Sequence, residues 1–101
     1  MKERSVEFAP EASEDLLQLY DWIAAAASPE TAIRYIDRIE VFCERLRHAS
    51  DRGDIRNDIR PGLRIVGFER RVTVAFMVTE TRVTVLRLMY GGQNWEQQLK
   101  E

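Results

Sequence analysis

The chain has 101 residues, 45% of them hydrophobic, and a net charge of −2; that is the size of one domain and excludes an intrinsically disordered chain. Residues 1–44 carry four Lys or Arg against ten Asp or Glu, and residues 45–101 carry eleven against seven, ten of the eleven being arginine. A basic excess so diluted by acids is not the footprint of a dedicated nucleic-acid binder, whereas arginine suits bidentate contacts to carboxylates.

After Met1-Lys2-Glu3-Arg4 no apolar run follows, so no secretory signal is expected. No stretch approaches the roughly 18 apolar residues of a membrane helix. The single cysteine, Cys43, falls in an apolar helical pattern and is expected to be a small core residue. With one histidine, His48, and no cysteine cluster, neither a metal site nor a cofactor is expected. These features together point to the cytoplasm.

The first element is a short strand over residues 4–8, where Val6 and Phe8 flank Glu7. Pro10 then opens a helix. Glu11, Glu14 and Asp15 lie near its positive end, where anions are favoured. Leu16, Leu19, Tyr20 and Ile23 form its apolar stripe, and Trp22 falls beside that stripe. Ser28-Pro29-Glu30 begins a second helix, with Ser28 as N-cap. Its stripe is Ile36, Ile39, Cys43 and Leu46, widened by Tyr35 and Phe42. The short link between the helices predicts an antiparallel hairpin.

Residues 49–62 are polar and end in Pro61-Gly62, as a loop with at most one helical turn does. Arg52, Arg56 and Arg60 recur every four residues among Asp51, Asp54 and Asp58, which suggests a solvated face. Three strands are expected next, over 63–68, 71–78 and 82–89. Thr79-Glu80-Thr81 suits a tight hairpin, although it lacks the usual Gly or Asn. Gly91-Gly92 ends the last strand, and Asn94 caps a short helix bearing Trp95 and Leu99.

This order predicts one α+β domain, β-α-α-β-β-β. It has an antiparallel meander, a helix hairpin on one sheet face and a short C-terminal helix. The N-terminal strand is expected at a sheet edge or beside the last strand. Strict alternation directs Val83, Val85 and Met89 to one side of the last strand and Leu86 and Leu88 to the other. Both sides are apolar and the hairpin covers only one, so the other is expected to need a partner.

The ordered set Phe8-Ala9-Pro10-Glu11-Ala12, Tyr20-Asp21-Trp22-Ile23, Ser28-Pro29-Glu30, Tyr35-Ile36-Asp37-Arg38-Ile39, Arg60-Pro61-Gly62-Leu63-Arg64, Val85-Leu86-Arg87-Leu88-Met89-Tyr90-Gly91-Gly92 and Asn94-Trp95-Glu96 resembles ParE-type toxins of the RelE/ParE superfamily. The resemblance runs along nearly the whole chain. It implies the toxin of a type II toxin–antitoxin or plasmid-stabilisation pair, with a cognate antitoxin. It also implies one of two activities, inhibition of DNA gyrase by protein contact or ribosome-dependent messenger-RNA cleavage. A third reading is a non-toxic module that only binds antitoxin.

RNA cleavage requires a base, an acid and cations for the developing charge. At positions where nucleases of the superfamily hold such groups, this chain has Val66, Thr73 and Gln93. Arg64, Arg87 and Tyr90 are the only catalytic candidates, and a tyrosine hydroxyl is a weak acid for such work. The gyrase reading therefore leads, with no catalytic residue and no membrane or strong direct nucleic-acid contact. Its target-binding candidates are Arg60, Arg64, Arg87 and Trp95, an arginine–aromatic mixture of the kind enriched at interfaces. Trp22, Val83, Val85 and Met89 are the candidates for antitoxin binding. Arg87 interrupts an apolar strand, so its charge must be paired or solvated. An ion pair with Glu69 or a loop aspartate and a contact to a partner are both open readings.

Overall fold

A computed structural model describes residues 4–49, 51–91 and 95–100. Strand β1 (Ser5–Phe8) leads into helix α1 (Pro10–Ala26) and helix α2 (Pro29–Glu44), which a short 3-10 turn, Arg45–Arg47, extends. Strands β2 (Asp54–Ile55), β3 (Arg64–Phe68), β4 (Val72–Val78) and β5 (Arg82–Tyr90) follow, then helix α3 (Trp95–Lys100). The sheet order is β1-β5-β4-β3-β2. β1 runs parallel to β5, and the other pairs are antiparallel. The N-terminal strand is thus both an edge strand and the neighbour of the last strand.

The helix starts follow from their residues. Pro10 and Pro29 occupy first turns, where a missing N–H leaves no intrahelical bond unmade. Ser28 Oγ accepts from Thr31 N at 3.1 Å, satisfying one of the free donors of α2. Ala12, Leu19 and Ile23 of α1 and Ala32, Tyr35, Ile39 and Cys43 of α2 meet Val72, Val74, Phe76, Val83 and Val85 in the main core.

The β4–β5 hairpin does without Gly or Asn because Thr79 closes it with its own side chain. Arg82 N donates to Thr79 Oγ1 at 3.1 Å, and Thr79 N donates to Arg82 O at 2.8 Å. The Thr79 carbonyl accepts from Arg4 Nε at 2.7 Å, which ties the residue before β1 to the hairpin. β2 went unforeseen because two residues carry no alternation. Its approach depends on Gly53, at φ +83°, where an added Cβ would lie 2.5 Å from Ile65 O.

Strict alternation fails in β5. Ala75 pairs with Arg87 but Phe76 pairs with Val85, so Leu86 is an extra residue in a β-bulge. The bulge resets parity. Leu88 joins Val83 and Val85 against the helices, while Leu86 and Met89 face the far side.

That far side is not left bare. Leu63, Ala75, Met89 and Leu99 form a second cluster, flanked by Ile59, Ile65, Met77 and Leu86. The loop before β3 and helix α3 thus give it cover from within the chain. Val83 and Val85 are 0% exposed and Met89 is 2%. They are core residues, which corrects their assignment to an antitoxin surface: alternation showed that they were apolar but not that the chain itself covers them.

The 52–60 run is a solvated segment as expected, except at Arg56, and its arginines differ in their surroundings. Arg52 lies over the Phe42 ring at 5.7 Å. Arg56 forks onto Asp58 at 2.9 and 2.8 Å and reaches Glu96 of α3 at 3.0 Å. Arg52 and Arg60 are exposed and Arg56 is half-buried. Residues 92–94 and the side chain of Trp95 lie outside the described residues, and with them the expected Asn94 cap, the Gly92 strand end and the Gln93 position. No helix among the described residues is long and apolar enough to cross a membrane.

Candidate functional site

The site forms where β5 outruns β1. β1 ends at Phe8, opposite Val85, and Ala9 N donates to Val85 O at 2.9 Å. Beyond that point β5 has lost its parallel neighbour, and α1 crosses its open edge. Asp15 takes the place of the missing strand. Its Oδ2 accepts from Leu88 N at 2.9 Å and from Arg87 Nε at 2.8 Å, and its Oδ1 accepts from Arg87 Nη2 at 3.1 Å.

Helical spacing puts Asp15 there, because 12, 15, 19 and 23 share one face. Ala12, Leu19 and Ile23 on that face are buried. The Asp15 side chain is 12% exposed and that of Arg87 29%. The Asp15 hydrogen bond raises the Arg87 pKa above its already high ordinary value. Desolvation opposes this, while the charges of Asp15, Glu11 and Glu14 add to it. Arg87 is therefore a fixed, neutralised cation. The acid that pairs with it is Asp15, not Glu69 or a loop aspartate; Glu69 bonds Arg38 at 3.0 and 3.1 Å instead.

Beside this pair opens a cleft of about 570 Å³, lined by Asp15, Gln18, Trp22, Arg87, Leu88 and Tyr90 among others. Trp22 packs on Tyr90 with ring centroids 4.9 Å apart and an interplanar angle of 51°. Trp22 remains 55% exposed. The cleft thus offers an aromatic wall next to a closed ion pair. Such a surface can bury a side chain of a partner and place a hydrogen-bonding group at its rim.

The three candidates for RNA cleavage do not converge. Arg87 and Tyr90 line the same cleft. Arg64 sits opposite Phe76, and its Nη1 donates to Asp51 O at 3.1 Å. Tyr90 sits opposite Val72. Four residues along the strand and two strand spacings separate these positions, about 16 Å between backbones. Of the target-binding candidates, Arg60 and Arg64 do not line the cleft with Arg87. Trp22, assigned to antitoxin binding, is exposed and shares the cleft. Asp15 was not singled out for this role; the signal was a charge on the buried stripe of α1.

Comparison with known proteins gives the family and the fold. Residues 6–95 match the family described as ParE toxin of type II toxin-antitoxin system, parDE. The chain belongs to the ParE toxin family. A chromosomal ParDE toxin–antitoxin system from P. aeruginosa contains a chain with the same fold. It is 24% identical with a TM-score of 0.77, and the match covers 88% of this chain and 97% of that one. A chain of the RelBE2 toxin–antitoxin complex from Mycobacterium tuberculosis is 18% identical with a TM-score of 0.68, over 92% of this chain and 97% of that one. No curated protein matches the chain. In this ParE-family chain the Asp15–Arg87 pair joins the first helix to the last strand, and the aromatic cleft lies on that seam.

Proposed function

We propose that this ParE-family toxin arrests growth by binding DNA gyrase through protein–protein contact, breaking no bond itself, and that a small cognate antitoxin holds it off in the cytoplasm. The observation that carries the mechanism is the closed Asp15–Arg87 pair. Stabilising a cleavage transition state needs positive charge aimed at the phosphate. A guanidinium whose charge is matched by a bidentate carboxylate offers little of it, and Arg64, held on Asp51 O, does not line the cleft with Tyr90. The exposed Trp22 beside Tyr90 and Arg87 instead has the make-up of an interface anchor. Trp95 and Arg60 remain target-binding candidates on the same reading.

The antitoxin proposal draws on the ParDE and RelBE2 assemblies that share the fold. The likeness to RelBE2 also keeps the ribosome-dependent endonuclease as the alternative. Supercoiling by purified gyrase and messenger cleavage on purified ribosomes separate the two. Inhibited supercoiling with intact messenger is the expected outcome, and Trp22→Ala should weaken the inhibition while the fold persists. Codon-phased cuts with gyrase unaffected would establish the endonuclease. Inactivity in both assays with tight antitoxin binding would leave the non-toxic module.

A further inference from the structure

The reversal between β3 and β4 holds its two central residues, Glu69 and Arg70, at φ +50° and +59°. Arg71 N closes the turn onto Phe68 O at 3.0 Å. Two successive left-handed residues are the pattern of a turn that favours Asn-Gly, because a Cβ is strained there. Here the sequence supplies a glutamate and an arginine.

Glu69 has a reason within the chain. Its carboxylate takes both Nε and Nη2 of Arg38, whose guanidinium lies 5.0 Å from the Tyr35 ring centroid. Arg70 has none of that kind. It is exposed, and among the described residues its side chain makes no hydrogen bond, ion pair or ring contact. Arg71, also exposed, is next to it. Strain that no internal contact offsets points to a use outside the chain.

The position of the turn fits such a use. Gly91 N donates to Arg71 O at 2.8 Å, and Val72 pairs with Tyr90. The turn therefore stands at the end of the sheet that carries the Trp22–Tyr90 wall. Its surface is charged rather than apolar. Of the large apolar side chains exposed on this chain, Val41 lines the groove that Glu69 borders, and Leu17 and Ile55 lie on α1 and β2, where a permanent partner would bury them. An exposed arginine pair instead suits a partner met by diffusion and steered by charge. The net charge of −2 gives the chain no general attraction to a phosphate backbone, and arginine forks match carboxylates, so carboxylates are the matching chemistry.

Resting on the toxin reading above, we infer that Arg70 and Arg71, presented by a strained turn, dock onto an acidic surface of the protein target and not onto the antitoxin.

Arg70→Gly tests this, with Arg70→Asn, which also tolerates left-handed backbone, as a second variant. Three readouts are needed on the full chain: melting temperature, antitoxin affinity, and growth arrest on induction without antitoxin. Arg70→Gly should melt higher by about 2–8 °C as the strain is relieved. It should bind antitoxin as the parent does, and the number of surviving colonies should rise by about tenfold or more. Growth arrest equal to the parent's in both variants would overturn the inference. So would a parallel loss of antitoxin affinity, which would assign the turn to the antitoxin, or a lower melting temperature for Arg70→Gly, which would remove the strain on which the inference rests. A parent chain with no effect on growth would remove the toxin reading itself, and this inference with it.

Discussion

At the scale of single residues, Asp15 is the group on which the seam between α1 and β5 depends. One carboxylate serves a main-chain donor, Leu88 N, and both edge donors of Arg87. Removing it leaves a partly buried guanidinium and a strand N–H without their acceptor. Asp15→Ala should destabilise the chain by about 2–4 kcal/mol, less than a fully buried pair because Arg87 keeps some contact with water. Arg87→Ala should do similar damage, and a double-mutant cycle in urea should give a coupling of about 1–3 kcal/mol. Additive effects would mean that the two side chains act independently, contrary to the geometry. Cys43 makes a second prediction. Burial pushes its thiol up to about 12 from an ordinary 9.0, with Glu40 adding to the shift. Because the folded value is the higher one, this contribution to stability is intact below about pH 9. It is lost as pH rises toward 12, when the unfolded chain ionises first. A thiol reagent at pH 8 should label Cys43 in denaturant and hardly at all in buffer; equal rates would show an open site. From sequence the charge of Arg87 had to be paired or solvated, and the acids that suggested themselves as an internal partner were Glu69 and the loop aspartates. Helical spacing already put Asp15 on the buried stripe, yet its place near the helix start gave it a sufficient role as a dipole-stabilising anion, and the contact across 72 residues of sequence was hidden.

At the scale of elements, periodicity located the two long helices and the three long strands well, because each buries one stripe or face against a continuous core. It failed where a pattern is interrupted or too short to exist. The bulge at Leu86 sends Met89 away from the helices and Leu88 toward them, and no residue there announces a bulge by type. The two residues of β2 are placed by Gly53 and the loop around it. Helix α3 lies over the far face with two kinds of contact, Leu99 in an apolar cluster and Glu96 on Arg56. These differ in strength. Leu99 is 7% exposed, and Leu99→Ala should cost about 2–3 kcal/mol. Arg56 and Glu96 are more open to solvent, so Glu96→Ala should cost under about 1 kcal/mol. Chemical denaturation of the two variants decides which contact seats the helix. If Glu96→Ala proved the more damaging, the ion fork and not the apolar cluster would be holding α3. Ser28→Ala offers a scale for comparison, since loss of that N-cap should cost about 1 kcal/mol.

For the whole molecule, the sheet is covered on both sides by its own chain, the helix hairpin on one and the loop before β3 with α3 on the other. The fold therefore does not need a partner to hide its second apolar face, contrary to what alternation alone suggested. A chain of this size still buries only a modest share of its surface, and exposed Leu17, Trp22, Ile33 and Val41 leave apolar area on the outer helix surfaces. If the proposed antitoxin covers such area on the folded chain alone, its effect on stability follows from mass action. At about 100 times the dissociation constant the gain is about 2.7 kcal/mol, which for a domain of this length raises the melting temperature by about 10–20 °C. Each further tenfold of free antitoxin should add about 1.4 kcal/mol. A scanning calorimetry series at rising antitoxin concentration would show a steadily climbing midpoint for the parent. For Trp22→Ala the same climb should begin only at higher concentration if the aromatic cleft is part of the contact. A midpoint that stays fixed while the two proteins co-purify would mean that the antitoxin binds the unfolded chain as tightly as the folded one, and the picture of a folded toxin masked at its surface would have to be abandoned.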